Sequence, residues 1–318
     1  MTPRPLPSAA VERFEADLRA LVPDARGLAL AVSGGSDSLA LLLLAAAVLP
    51  GGVAAATVDH GLRPEAAGEA EFVAAICVEL GVPHRTLAVA VPPGASVQAQ
   101  ARAARYAALA EWAAREGLDA LLTAHHADDQ AETLLMRLVR GSGLGGLAGI
   151  RPSAEIEGLL VCRPLLGWRR QDLRALVEGA GLRPVEDPSN ADDAYDRVRM
   201  RRHLAEASWL DPAALARSAA ALAEAEQALD WATEWLAAER VSGEEALRLD
   251  PSGLPPELLR RLVLICLRRL DPSAAPRGEQ VTALIGTLQQ GGTATLGRLL
   301  CQGGTQFRFA QAPPRRES

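Results

Sequence analysis

A turn rich in serine and glycine, residues 33–38, combines the side chains and the backbone freedom that phosphate binding requires. It lies between an apolar run at 28–32 and a longer one at 39–49, the order of a buried strand followed by a helix. Backbone N–H groups at a helix N-terminus have no helical partners and therefore favour an anion. The predicted nucleotide-binding residues of this turn are Ser33, Gly34, Gly35, Ser36, Asp37 and Ser38. We expect Asp37 also to hold a metal ion on the phosphates.

The chain lacks the residues of two common phosphate-binding motifs. All 33 of its basic side chains are arginine, whereas a Walker A loop needs a lysine to reach the terminal phosphates. The glycine spacing also differs from the G-x-G-x-x-G pattern of dinucleotide-binding turns. P-loop kinases and Schiff-base enzymes are therefore excluded. The alternative that stays open is a turn that caps a helix without binding a ligand.

Further apolar runs alternate with helical patterns after this turn. Strands are expected at 53–58, 84–91 and 120–124, with helices between them. This alternation predicts an α/β fold with a doubly wound parallel sheet, whose ligands bind at the carboxyl ends of the strands. We place a catalytic domain at residues 1–210, and a connecting helix with a smaller α+β domain at 211–318.

Two groups of polar residues follow predicted strands. His60 and Arg63 come after the second strand and are predicted to contact the nucleotide, with a solvated loop as the alternative. Residues 125–132, after the fourth strand, include two histidines and three acids. Glu132 is four residues from Asp128 and three from Asp129, so the three carboxylates are expected to share one face near the start of the helix. Such a cluster calls for a cation, either Mg²⁺ or the ammonium group of an amine substrate. The alternative is that the acids only cap the helix.

Arginines form two further groups that could hold phosphate by bidentate hydrogen bonds. Arg102 and Arg105 lie on a helix expected to run through residue 114, and Arg105 is followed by a tyrosine. The second group, at 197–201, consists of Arg197, Arg199 and Arg201. In both cases the alternative is a solvated basic helix face.

Composition limits the class of protein. The chain has 318 residues, 49% of them hydrophobic, and a net charge of −6, which argues against general affinity for nucleic acid. No apolar run is long enough to span a bilayer and the N-terminus does not have the pattern of a signal peptide, so we expect a cytoplasmic protein with no membrane partner. The four cysteines are widely spaced without a C-x-x-C pair and are expected to be buried thiols.

Several of these segments resemble one enzyme family. The 33–38 turn is similar to the pyrophosphate-binding loop of the N-type ATP pyrophosphatases. The segments at 58–63, 102–106, 121–133 and 163–166 resemble the tRNA(Ile)-lysidine synthetases, and the longest match is 121–133. On this basis the chain is identified as a member of that family, in its short form.

The resemblance implies a fold like that of the adenine nucleotide alpha-hydrolases, and an ATP-dependent ligase that also uses Mg²⁺. Such enzymes adenylate C2 of the wobble cytidine in isoleucine tRNA with a CAU anticodon. The side-chain amine of free lysine then replaces AMP, which leaves lysidine. By resemblance Asp129 and Glu132 bind the lysine amine, Asp37 and Arg105 join them in catalysis, and Arg102 contacts phosphate or tRNA together with the second arginine group. The C-terminal domain is expected to contact tRNA, and the sequence leaves open whether the chain forms a homodimer.

Two alternatives of different kinds stay open at this point. One is another N-type ATP pyrophosphatase, such as a tRNA thiolase or an amide-forming synthetase of GMP or NAD. Thiolation needs paired reactive cysteines, and the cysteines here are scattered. The other is a module that binds ATP without chemistry, which would need the phosphate-binding turn but not the acidic cluster.

Overall fold

The computed structural model describes residues 2–59, 61, 65–90, 97–185 and 196–312. The chain forms two compact units, Met1–Ala223 and Glu224–Ser318. The division falls inside a long helix, Pro212–Arg240, whereas the sequence places the boundary near the start of that helix. The predicted nucleotide contacts His60 and Arg63 lie outside the described residues.

The first unit is built on a six-stranded sheet. Its strands are β1 (Leu28–Ala31), β2 (Val53–Asp59), β3 (His84–Ala88), β4 (Ala120–Leu122), β5 (Ser153–Ile156) and β6 (Leu159–Cys162). The strand order is β3-β2-β1-β4-β6-β5, and every pair is parallel except β5 with β6. The order reverses direction between β1 and β4, and folds of this class bind ligands at the carboxyl ends of such a pair of strands. This architecture confirms the predicted α/β fold with a doubly wound sheet.

Helices cover both faces of this sheet. The helices up to residue 240 are α1 (Ser8–Leu21), α2 (Ser36–Val48), α3 (Glu65–Leu80), α4 (Val97–Glu116), α5 (Ala127–Val139), α6 (Leu144–Leu147), α7 (Arg170–Gly179), α8 (Asp196–Glu206) and α9 (Pro212–Arg240). Of these, α2, α3 and α4 pack directly on the strands, and α9 extends into the second unit. The apolar side chains at 39–45 of α2 are all buried in the core. They pack together with residues of α1 and α7, and this packing fixes the start of α2 against the end of β1.

Two features of the first unit differ from the expectations drawn from sequence. Strand β3 ends at Ala88 rather than at residue 91. The hairpin of β5 and β6 was not expected at all. Its two-residue turn consists of Glu157 and Gly158, with φ angles of 51° and 72°, and a residue followed by glycine between short apolar runs is the signal that points to such a turn.

In its described residues, the second unit has a five-stranded antiparallel sheet, the C-terminal part of α9 and two further helices. Its elements are β7 (Val241–Ser242), β8 (Ala246–Leu249), α10 (Pro256–Leu270), α11 (Gly278–Gln289), β9 (Thr293–Leu296), β10 (Leu299–Gln302) and β11 (Phe307–Gln311). One face of the sheet is buried against α10 and α11 through alternating residues such as Leu247, Phe307 and Phe309. None of the described helices in either unit has both the length and the apolar character to cross a membrane.

Candidate functional site

The turn between β1 and α2 has a backbone that requires glycine. Gly34 has a φ of +86°, and a Cβ atom there would lie 3.4 Å from the side chains of both Val73 and Val185. The backbone N–H of Val185 donates to the Gly34 carbonyl over 3.0 Å, which holds the turn from the other side. Gly35 is the N-cap residue of α2 and provides no capping side chain. The first N–H groups of α2 therefore lack the usual side-chain cap and favour an anion.

The serine hydroxyls of the turn divide into two roles. The buried Ser38 hydroxyl accepts a hydrogen bond from the Ser33 N–H over 3.1 Å and donates to the Gly35 carbonyl over 3.0 Å. Ser38 therefore shapes the turn. Ser36 is only partly buried, and its hydroxyl donates to Asp37 Oδ1 over 3.3 Å.

Asp37, in the first turn of α2, faces the start of α5. Its Oδ2 lies 3.4 Å from Nε2 of His126 and 3.9 Å from Nε of Arg170. Burial by itself raises the pKa of Asp37, but the hydrogen bond and charge of His126, helped by Arg170, outweigh it and hold that pKa below its usual value. Asp37 is therefore an ionised carboxylate beside the phosphate-binding turn.

His126 is the N-cap residue of α5 and is almost completely buried. Its Nδ1 accepts the Asp129 N–H over 3.3 Å, and Asp129 Oδ2 accepts the His126 N–H over 3.1 Å. With Nδ1 acting as an acceptor, the ring proton lies on Nε2, toward Asp37. Desolvation alone would lower the pKa of His126, but Asp37 and Asp129 raise it above its usual value. A second proton on the ring would break the bond from the Asp129 N–H, so the cap opposes that rise.

Asp128 does not share the face of Asp129 and Glu132. Its Oδ2 accepts the backbone N–H of Arg170 over 2.8 Å, and the Arg169 guanidinium contacts both its carboxylate oxygens. Asp128 thus caps the N-terminus of α7, whereas the structural alternative expected the acids to cap their own helix. Arg169 and Arg170 were missed in the sequence, because nothing local shows that α7 starts beside α5.

Glu132 is 1% exposed and is neutralised by α8. Arg201 donates from Nε to Glu132 Oε1 over 2.8 Å, and Arg197 Nε lies 3.3 Å from Oε2. Arg199 instead pairs with Asp196. Two of the three predicted arginines of α8 therefore converge on the acidic cluster. The helix itself buries no side chain, so these ion pairs dominate its attachment to α5.

A second group of arginines surrounds Tyr106 on α4. Arg102 and Arg105 lie over its ring, with their Cζ atoms 4.9 Å and 5.3 Å from the ring centroid. Arg163, directly after β6, is buried and also interacts with the Tyr106 side chain. Desolvation lowers the pKa of Arg105 and of Arg163, and the charge of Arg102 lowers both further. Arg163 belongs to the segment 163–166 that resembles the enzyme family, but the sequence assigned it no role, because nothing local shows that it meets Tyr106.

His125 lies in the short segment between β4 and α5. Its Nδ1 is 2.9 Å from the Thr123 hydroxyl. Desolvation lowers its pKa to about 4; Asp129 opposes this shift, whereas Arg163, Arg102 and Arg197 add to it. His125 is therefore neutral at physiological pH.

The described residues contain no group of three or more histidine, cysteine or acidic side chains placed to hold a metal ion. The four cysteines are free and buried, as predicted, and burial raises the pKa of Cys77 and of Cys266 to about 12 and that of Cys301 to about 11. Thiols with such pKa values are poor nucleophiles and poor ligands. A metal ion at this site would need oxygen ligands from the substrate in addition to Asp37.

Comparison with known proteins gives a consistent result. The family described as a PP-loop domain matches residues 10–208. A tRNA(Ile)-lysidine synthase of Zymomonas mobilis is 50% identical over 297 residues, covering 92% of this chain and 90% of the relative. A tRNA(Ile)-lysidine synthase of Novosphingobium aromaticivorans is 49% identical over 315 residues, covering 97% and 96%.

A solved structure supports the fold independently. The U34-tRNA thiolase NcsA from Methanococcus maripaludis superimposes with a TM-score of 0.54 at 17% sequence identity. The match covers 68% of this chain and 80% of the thiolase. At this identity the likeness concerns the fold of the first unit and carries no statement about the reaction.

Proposed function

Because the chain belongs to the tRNA(Ile)-lysidine synthase family of PP-loop proteins, we propose that the turn at 33–38 and the start of α5 form one active site. The enzyme forms lysidine on tRNA(Ile) with the use of ATP. The observation that carries the site assignment is the 3.4 Å contact between Asp37 and His126, which joins the phosphate-binding turn to the acidic cluster. The two halves of the reaction can therefore take place side by side.

In the proposed reaction, the C2 oxygen of the wobble cytidine attacks the α-phosphorus of ATP and pyrophosphate leaves. The side-chain nitrogen of free lysine then forms a bond to C2, the C2–O bond breaks, AMP leaves and the amine loses its proton. No covalent bond to the protein is needed. The rate then depends on positioning and on electrostatic stabilisation of the phosphates and the amine.

The phosphate contacts are assigned to Ser33, Ser36 and the backbone of Gly34 and Gly35. Asp37 is ionised and partly exposed, and carboxylate and phosphate oxygens are the ligands that Mg²⁺ prefers. Mg²⁺ bound there would offset phosphate charge, with Asp37 as its protein ligand. His60 and Arg63 remain predicted contacts of the nucleotide.

The lysine amine is assigned to Asp129 and Glu132. Asp129 is the more accessible of the two, with 17% of its side chain exposed against 2% for Glu132. An ammonium group reaching Glu132 would have to compete with the guanidinium groups of Arg201 and Arg197. We therefore expect the amine to meet Asp129 first. Arg105 completes the proposed catalytic set.

The tRNA contacts are assigned to exposed arginines. In the first unit these are Arg102 and Arg199. In the second unit, Arg248 and Arg308 lie directly opposite each other on β8 and β11, on the face of the sheet away from α10 and α11. Like charges in such a pair repel, and a phosphate of the RNA would relieve that repulsion.

Labelled lysine incubated with ATP, Mg²⁺ and an unmodified isoleucine tRNA transcript with a CAU anticodon tests the function. We expect label in this RNA, with one AMP and one pyrophosphate for each lysine, and none in a methionine tRNA transcript with the same anticodon. AMP formation that needs tRNA but leaves no label would indicate a different nucleophile. If ATP is not consumed, nucleotide binding without chemistry is the function that remains.

Two wider expectations belong to the same proposal. A tRNA-modifying enzyme with free cysteine thiols is consistent with the cytoplasm, where thiols stay reduced. A homodimer remains a prediction. Sedimentation of the purified protein with and without tRNA checks this prediction. Particles that contain a single protein chain in both samples would reject it.

A further inference from the structure

Arg163 is a buried cation with unused hydrogen-bonding capacity. Its side chain is 5% exposed, and its Nη1 donates to the Arg151 carbonyl over 2.7 Å. Its Nε is buried and has no partner among the described residues. A buried guanidinium without an anion is costly, so such an arrangement calls for an explanation.

The surroundings of Arg163 add positive charge and no described counter-ion. Arg102 and Arg105 flank the same side chain that Arg163 contacts, that of Tyr106. Within the described part of the chain, no salt bridge joins any of these three arginines to a carboxylate. The cluster is therefore prepared for an anion that the protein does not supply.

Groups of opposite charge follow two paired strands: Asp129 lies in the first turn of α5, after β4, and Arg163 directly follows β6, which pairs in parallel with β4. Asp129 favours a proton on the His125 ring, whereas Arg163 and Arg102 disfavour it. An acidic group and a cationic group thus act on one small region at the end of β4. A ligand that carries both an ammonium group and a carboxylate matches this arrangement, because each end meets the opposite charge.

The strand order sets the scale of this region. Strand β6 is the neighbour of β4, and β4 is the neighbour of β1. At a strand spacing of about 4.8 Å, the end of β6 lies about 5 Å from the end of β4, the strand that leads to α5 and Asp129. Extended lysine separates its side-chain nitrogen from its carboxylate carbon by six bonds, about 7 Å. A lysine with its amine near Asp129 can therefore place its carboxylate toward Arg163.

We infer that Arg163, with Arg105, binds the α-carboxylate of the free lysine substrate and so selects an amino acid over a simple amine. The inference rests on the proposed function, since it concerns the second substrate of that reaction. The depth of Arg163 favours the end of a small molecule over a polynucleotide backbone, which would have to enter the fold. Arg102, which is exposed, lies at the outer edge of the same cluster.

The test compares L-lysine with cadaverine, which keeps the side-chain amine but has no carboxylate. Wild-type enzyme and Arg163→Gln are assayed with both amines, with AMP release and RNA adduct formation as readouts. We expect the substitution to raise the KM for lysine about tenfold to a hundredfold, as for the loss of a charge-assisted hydrogen bond. Rates with cadaverine, and the KM values for ATP and tRNA, should change less than twofold. Lysine methyl ester should behave like cadaverine.

The control is Arg137→Gln, because Arg137 also donates to backbone carbonyls, those of Gly146 and Gly149. It should leave the lysine-to-cadaverine ratio unchanged. Both rates are measured on the same enzyme preparation. Incomplete folding of a variant therefore lowers the rates with lysine and with cadaverine equally and does not change their ratio. If Arg163→Gln is insoluble, Arg105→Gln provides the second test and should also lower the ratio, because Arg105 is the other proposed ligand of the carboxylate.

If Arg163→Gln reduces activity equally with lysine and with cadaverine, the inference is overturned and the role of Arg163 is structural. A raised KM for tRNA with an unchanged lysine KM would also overturn it, in favour of an RNA phosphate. Neither result affects the proposed function, which fails only if the wild-type enzyme attaches no lysine to tRNA.

Discussion

Arg201 donates from its Nε to Oε1 of Glu132 over 2.8 Å and thereby ties the exposed helix α8 to the buried start of α5. The carboxylate of Glu132 has a second guanidinium, that of Arg197, at 3.3 Å. These two guanidinium groups provide the hydrogen bonds and the opposite charge that a carboxylate with 1% exposure requires inside the fold. It also means that the acid predicted to hold the lysine amine already holds two cations of the protein.

Glu132→Gln should therefore loosen α8 as well as weaken lysine binding. Removing the acid leaves two partly exposed guanidinium groups unpaired, and we expect a loss of roughly 1 to 3 kcal/mol in the free energy of unfolding. Urea unfolding measures it. Arg201→Gln is the matched variant. If Glu132 contacts the amine, Glu132→Gln raises the lysine KM well beyond the effect of Arg201→Gln, and equal effects would limit Glu132 to holding α8.

Gly34→Ala should damage the phosphate-binding turn. Gly34 has a φ of +86°, so a side chain there costs about 1 to 2 kcal/mol in stability. The strained turn should also raise the KM for ATP severalfold. Gly68→Ala is the control, because Gly68 lies in α3 with open space around it and alanine there should stabilise the protein by about 0.5 to 1 kcal/mol. Similar effects of the two substitutions would contradict the assigned role of Gly34.

The order of elements around the site follows from local sequence signals. The β1 strand, the glycine turn and α2 are adjacent in the chain, so their apolar runs and turn residues identify them together. The start of α5 is recognisable for the same reason. The alternation of strands and helices is enough to predict the parallel sheet.

The pairing of side chains across the site does not follow from local signals. Asp128 was grouped with Asp129 by its spacing, yet it caps α7, which starts some forty residues later in the chain. Arg163 and Tyr106 meet because β6 lies beside β4, and β6 belongs to a hairpin that the sequence analysis missed. Contacts of this kind depend on the strand order, and periodicity contains no information about it.

Asp37→Asn should stop ATP turnover and shift the titration of His126. Asp37 is among the groups that raise the pKa of His126, so the asparagine variant should bring that pKa down, as NMR titration of the ring would show. The ionised Asp37 contributes its full stabilisation above about pH 3.8, the ordinary pKa of an aspartate. The protonated His126 contributes its full stabilisation below about pH 6.5, the ordinary pKa of a histidine. The stabilisation of the fold by this pair is therefore lost as pH rises through the raised pKa of His126. If the stability of Asp37→Asn depends on pH in the same way as that of the wild type, the pairing is contradicted.

His125 should make the fold sensitive to acid. Its pKa is lowered to about 4, so between pH 6.5 and 4 the unfolded chain binds a proton that the folded chain does not. The free energy of unfolding therefore falls as pH falls through this range, by an amount on the order of 1 to 3 kcal/mol. His125→Gln should reduce that fall, measured as the difference in Tm between pH 7.5 and pH 5. An equal fall in wild type and variant would show that His125 titrates normally.

Arg308→Glu should change stability and RNA binding in opposite directions. Arg308 lies directly opposite Arg248, so glutamate would replace a repulsive pair by an attractive one and stabilise the sheet by a few tenths of a kcal/mol, roughly. If this face contacts tRNA, the substitution raises the KM for tRNA. It also reduces the steepness of the plot of log association constant for tRNA against log salt concentration by about one. The KM for ATP should not change. Arg269→Glu, at the exposed end of α10 on the other side of the sheet, is the charge-matched control. An equal effect of both substitutions on the tRNA KM would mean that net charge, and not this face, governs binding.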